Sequence, residues 1–125
     1  MLSQLSLDLL LSSDQPDADT PCTPAEAFGL AAEVVSGKWT TPIIRELLTG
    51  TKRYSQLQSA LAGVSPKMLT ARLRLLEDKE LITRKVYATV PPKTEYRLTE
   101  LGQRLKPVIV AMEHFGSELA EGRSA

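Results

Sequence analysis

Among 125 residues the chain has one cysteine, one histidine, one tryptophan and two phenylalanines. A lone thiol, Cys22, excludes a disulfide within the chain and fits a reducing compartment. A metal site of the usual His/Cys type lacks ligands. A catalytic triad would have to use His114, and the sequence offers no clustered carboxylates around it, no nucleophile elbow and no glycine-rich phosphate loop. His114, beside Phe115, reads as a solvated or partner-facing side chain. No apolar run approaches the roughly 18 residues that span a membrane. The N-terminal "MLSQLSLDLLLSS" lacks a basic opening and is interrupted by Asp8, so no signal peptide is expected. These absences argue against an enzyme, a cofactor and a membrane location, and for a cytoplasmic protein.

Positive charge is missing from one part of the chain. Residues 1–37 contain no Lys or Arg and sum to −6, residues 38–97 sum to +7, and residues 98–125 sum to −1. The formal net charge of zero therefore conceals a basic middle, which is the part a polyanion would feel. A chain of this length forms one domain and buries about two-thirds of its unfolded surface.

Residues 1–21 read as an N-terminal tail: Leu2, Leu5 and Leu9 share a face that suits a short helix, and "SSDQPDADTP" is an acidic linker. Residues 22–120 read as the folded domain and 121–125 as a second tail. Thr23 caps a first helix with Pro24 at its opening position and Gly37 after its end. A second helix covers Trp39 to Leu48, with Pro42 in its first turn and Gly50 at its close. "YSQLQSAL" starts a third, for which Ser55 and Gln58 have capping-box spacing. "SPKMLTARLRLLEDK" starts a fourth, capped by Ser65. Helix, the short turn "AGVS" and helix make a helix-turn-helix candidate. Two strands, 81–88 and 94–98, then flank "VPPK", and Thr99 caps a long last helix that Pro107 should kink or divide. Its apolar face runs through Leu105, Val108, Ile109, Met112, Phe115 and Leu119.

On a wheel of about 100° per residue the fourth helix gathers Leu69, Leu73 and Leu76 into a buried stripe. Lys67, Thr70, Ala71 and Arg74 lie opposite, and such a face suits the major groove of double-stranded DNA. A solvated face with scattered charge would have the same pattern. The hairpin behind the basic helix adds weight: its prolines stiffen the tip, Lys93 supplies a cation there, and Arg84, Lys85 and Arg97 line the stem. A proline tip also protects a sheet edge. The fold class expected is mainly α with a small β-hairpin, a winged helix-turn-helix. A winged helix that binds protein instead of DNA is the alternative, and would show apolar residues where Lys67 and Arg74 stand.

"GKW" at 37–39, "RELLTGTKRYSQLQ" at 45–58, "SPKMLTARLRLLEDKELITRKVY" at 65–87 and "VPPKTEYRLTELG" at 90–102 resemble the HxlR-type transcription regulators, relatives of the MarR group. The resemblance covers roughly residues 26 to 116. It implies a homodimer, joined through terminal helices, that binds palindromic operators and regulates nearby genes, with repression as the family's usual sign. By the same resemblance Ser65, Lys67, Thr70 and Arg74 contact bases. Arg53, Tyr54, Ser55 and Gln56 sit at a helix N-terminus suited to phosphate, and Lys93 marks the wing tip. Trp39, a hallmark of the family, reads as core packing. Several members sense oxidants or electrophiles through a cysteine before the first helix, where the helix's positive end would lower the pKa of Cys22. The family's usual cysteine lies about one helical turn closer to Gly-Lys-Trp, at a position corresponding to Glu26. Sensor and inert thiol both stay open here, as does a small-molecule effector.

Overall fold

The computed structural model describes residues 21–124. The expected helix through Leu2, Leu5 and Leu9, and nearly all of the acidic linker, lie outside that range. The chain divides into two compact units, residues 1–31 and 32–125. The described part of the first carries the start of helix α1 (Pro24–Val35), where Thr23 Oγ1 accepts the Glu26 N–H at 3.1 Å. That bond satisfies one of the helix's unpaired donors, and Pro24 costs nothing at a position whose N–H would go unused.

The second unit continues with α2 (Thr40–Leu47), strand β1 (Lys52–Arg53), α3 (Tyr54–Ala60) and α4 (Pro66–Asp78). Strands β2 (Ile82–Tyr87) and β3 (Lys93–Leu98), then α5 (Glu100–Gln103) and α6 (Lys106–Ser124), complete it. Ile43, Ile44 and Leu47 from α2, Leu57 from α3, and Leu69, Leu73 and Leu76 from α4 meet Ile82, Tyr96 and Leu98 of the sheet in one core, with Trp39 packed against it. Burying each such aliphatic side chain stabilises by about 1.5–3 kcal/mol.

The sheet has three antiparallel strands in the order β1-β3-β2, so the expected hairpin gains a partner. Lys52 pairs with Tyr96, and Arg53 with Glu95. This strand also moves the start of α3. Arg53, extended in the sheet, is the residue before the helix, and Gln56 Oε1 accepts its N–H at 2.8 Å. The capping pair is therefore Arg53 and Gln56, two residues earlier than the Ser55–Gln58 spacing suggested. The wing differs similarly. Tyr87 pairs with Lys93, so Lys93 is the first residue of β3 and the tip is residues 88–92. Pro91 and Pro92 have no N–H to give the ladder, which makes Lys93 the first residue able to resume it. Within the tip Thr89 Oγ1 donates to the Pro91 carbonyl at 2.8 Å, and the Val90–Pro91 peptide is cis.

Thr99 Oγ1 accepts the Gly102 N–H at 3.0 Å and donates to the Glu80 carbonyl at 2.7 Å, fixing α5 over the end of the sheet. The terminal helix is divided as Pro107 requires, with α5 ending at Gln103 and α6 starting at Lys106. On α6, among the described side chains, only Ile109 is buried; Val108, Met112, Phe115 and Leu119 are exposed, Phe115 by 62%.

Gly102 marks the tightest approach. A Cβ there would collide with the Leu81 carbonyl oxygen and meet Leu98 Cδ2 at 3.0 Å. Gly102→Ala should lower unfolding stability by about 1–3 kcal/mol or more, read from a denaturant melt. An unchanged midpoint would mean that α5 is not seated against Leu81.

Candidate nucleic-acid interface

Three elements converge: the outward face of α4, the start of α3 and the wing. On α4 the leucine stripe is at most 1% exposed at Leu69, Leu73 and Leu76. Helical geometry then turns Lys67, Ala71 and Arg74 to solvent, with Thr70 half-buried at the edge of that face. Ser65 Oγ accepts the Met68 N–H at 3.1 Å, so the hydroxyl is engaged in starting the helix.

Tyr54, the first residue of α3, bridges to α4. Its hydroxyl donates to the Pro66 carbonyl at 3.1 Å and lies 3.3 Å from Thr70 Oγ1. Two residues expected to face DNA thus also hold the two helices of the helix-turn-helix in register, a role that no local sequence pattern signals because the partners are 16 residues apart. Gln56 is engaged too, through the N–H of Arg53. Beyond Tyr54, a cleft of ≈ 400 Å³ is lined by Arg53, Tyr54, Ser55, Pro92, Lys93 and Thr94. The base of the wing and the start of α3 are thereby neighbours, and Tyr54 connects both to α4.

Along the wing, alternation puts Ile82, Arg84, Tyr96 and Leu98 on the core side and Lys85, Lys93 and Arg97 on the solvent side. Arg84 Nε sits 3.6 Å from Glu77 Oε2 of α4, so the structure gives it a partner inside the protein. Lys85 Nζ lies 4.9 Å from the centre of the Tyr87 ring, and the Tyr87 hydroxyl donates to Glu95 Oε2 at 3.0 Å. The solvent-side cations beside Lys93 are therefore Lys85 and Arg97, a grouping that strand alternation alone would have found. At the tip Val90 is fully exposed. Lys67 and Arg74 form no ion pair with another described residue.

Cys22 is exposed, and its thiol does not behave as the helix end alone would suggest. Partial desolvation by its surroundings, and the Glu26 carboxylate through a hydrogen bond and its negative charge, push the thiol pKa up. Both effects disfavour the thiolate, desolvation the more strongly and Glu26 in the same direction.

A family model described as HxlR-like helix-turn-helix matches residues 34–124. An uncharacterized HTH-type transcriptional regulator of Synechocystis sp., sll1512, is 44% identical over 92 residues, covering 74% of this chain and 68% of that protein. The solved structure of a MarR-family transcriptional regulator from Porphyromonas gingivalis W83 superposes with a TM-score of 0.69 at 36% identity, covering 84% of this chain and 97% of the other. The redox regulator HypR in its reduced form superposes with a TM-score of 0.73 at 32% identity, covering 78% of this chain and 97% of the other. These relatives are regulators rather than enzymes, and among the described residues no helix is long and apolar enough to cross a membrane. The leucine-anchored α4, the α3 that Tyr54 ties to it and the wing beside them are those of a winged helix, and the chain belongs to the HxlR-like helix-turn-helix family of transcriptional regulators.

Proposed function

We propose that the protein is a sequence-specific DNA-binding repressor that acts in the cytoplasm as a homodimer on a palindromic operator. The observation that carries this reading is the exposure of Lys67 and Arg74 on the face of α4 opposite its buried leucines. An α-helix fits the major groove, and Arg or Lys there reaches the guanine acceptors. Ser65, Lys67, Thr70 and Arg74 address bases in this reading; Arg53, Tyr54, Ser55 and Gln56 approach the phosphates. Lys93 adds a backbone contact from the base of the wing, beside the α3 start across the cleft. Arg84 contributes to the field while paired with Glu77. The competing protein-binding module is disfavoured because Lys67 and Arg74 are charged.

The homodimer is supported by α6, whose Val108, Met112, Phe115 and Leu119 are apolar and exposed within one chain. Apolar area of this kind on a helix gains by pairing with a second copy. Cys22 is proposed as a regulatory thiol for an oxidant or electrophile, in the light of the similarity to HypR, which is named a redox regulator. Desolvation, and then the Glu26 carboxylate, disfavour the thiolate and so set the pH range in which the thiol reacts.

Binding to the DNA upstream of the protein's own operon, across a salt series, tests the reading. A steep loss with salt and preference for one palindrome over random duplex are expected; salt-tolerant binding to a protein partner would favour the rival. Arg74→Ala or Lys67→Ala should each relax preference at defined base pairs by about 1–3 kcal/mol, whereas Lys93→Ala should weaken all sequences alike and flatten the salt slope by about 1. If all three variants bind like the parent, the docking orientation is wrong. Phe115→Glu should shift the sedimenting species from dimer to monomer and weaken palindrome binding; a dimer that survives it is not joined through α6. Alkylation of Cys22 should accelerate only as pH rises past the ordinary thiol range, because the raised pKa keeps the unreactive thiol form to higher pH. Glu26→Gln should move that profile part of the way to lower pH, and an unmoved profile would remove Glu26 as a contributor beside desolvation. A Cys22→Ser protein still released from DNA by an electrophile would end the regulatory role.

A further inference from the structure

We propose that Ala71 is a specificity-determining residue, reading the 5-methyl group of a thymine that lies between two guanines contacted by Lys67 and Arg74. The inference rests on the proposed docking of α4 in the major groove. On that helix Lys67, Ala71, Arg74 and Asp78 are exposed, at steps of four, three and four residues. At about 100° per residue the four fall within an arc of about 60°, and so form one stripe opposite Leu69, Leu73 and Leu76. Met68, exposed by 36%, and half-buried Thr70 stand to either side of it.

The chemistry changes along the stripe. Lys67 and Arg74 form no ion pair with another described residue, which leaves both heads open to acceptors on base edges. Asp78 is also without an ion pair, and its carboxylate at the far end repels the phosphates there, confining contact to the part from Lys67 to Arg74. Between the two cations stands a single methyl group.

Alanine is the best helix former, so an exposed alanine on an ordinary helix calls for no explanation. On this face its neighbours decide what it meets. Lysine and arginine reach past the helix surface on either side of it, and with both heads on base edges the short side chain stands over the bases between. A bulkier residue would hold the helix off those edges, and a polar one would need a partner of its own. Thymine is the one base that presents an apolar group in the major groove, and alanine complements it. Thr70, the other short side chain near this stripe, lies at its flank with its hydroxyl 3.3 Å from that of Tyr54, so the central apolar contact falls to Ala71.

Helix rise sets the spacing. From Lys67 to Arg74 is about 10.5 Å along the axis, with Ala71 about 6 Å from the level of Lys67. At about 3.4 Å per stacked base the two guanines are about three steps apart, and the thymine falls between them.

The test uses the parent protein and its preferred upstream palindrome, with one thymine at a time in one half-site replaced by deoxyuridine. That change deletes the 5-methyl group, keeps the base pairing and leaves the protein untouched. One thymine is expected to be sensitive, its loss weakening binding by about fourfold, equivalent to ~0.8 kcal/mol for one buried methyl. It should lie between the guanines located by Lys67→Ala and Arg74→Ala. Ala71→Gly removes the side-chain methyl and Ala71→Ser sets a hydroxyl against the base; each should bind thymine and deoxyuridine duplexes within about twofold, because the methyl contact is gone. Three outcomes overturn the assignment while the regulator reading stands: no thymine sensitive to loss of its methyl, a sensitive thymine outside the interval between the guanines, or sensitivity unchanged in both Ala71 variants. Equal binding to the palindrome and to random duplex overturns the regulator reading itself, and this inference with it.

Discussion

The seating of Leu69, Leu73 and Leu76 is the constraint on which the surface chemistry depends. A helix has one rotational freedom about its axis, and three buried leucines on one stripe remove it. Together they contribute about 5–9 kcal/mol of burial, an upper estimate comparable with the whole net stability of a small domain. The α4 ion pair to the wing, Arg84 with Glu77, is half-exposed and belongs to a class worth about 0–1 kcal/mol. Packing, not charge, decides where Lys67 and Arg74 point. The charged face is placed by residues that never touch solvent.

Hydrogen bonds then refine what packing sets. Tyr54 reaches the Pro66 carbonyl and Thr70, closing the angle between α3 and α4 at the end where both helices begin. The same polar groups that suit a nucleic-acid surface are therefore partly occupied within the protein. In the proposed docking Thr70 would carry both duties, which a hydroxyl with one donor and two acceptor positions allows. Lys67 and Arg74 have no such internal duty among the described residues, which makes them the cleaner candidates for recognition.

Local signals were legible and non-local ones were not. Thr23, Ser65 and Thr99 cap the helices that their spacing indicated, because a cap is settled within three residues. The leucine wheel and the break before Pro107 depend on periodicity and ring geometry, which are also local. By contrast, β1 is two residues long and exists through pairing with Tyr96 and Glu95, more than forty positions away. Its presence moved the start of α3 to Tyr54 and made Arg53 the residue before it. Lys93 was misplaced at the wing tip because the rung that it forms with Tyr87 depends on register rather than composition. For Cys22 the sequence suggested a helix end that would lower the pKa, whereas desolvation and the Glu26 carboxylate, which depend on three-dimensional placement, raise it.

A neutral chain can still present a strongly basic surface, and the pairing pattern explains how. Exposed charges farther apart than a Debye length of about 8–10 Å barely feel one another, so a total charge says little about any one face. Within the basic middle of the chain, Arg45 is matched by Glu113, Lys79 by Glu33 and Arg84 by Glu77. Those acids lie on α1, α4 and α6, and none reaches Lys67, Arg74 or Lys93 as an ion-pair partner. These three acids are engaged by cations that tie elements of the protein together. The cations of the outward α4 face and the wing base keep their charge for whatever approaches from solvent, and a polyanion is the partner whose binding they would favour.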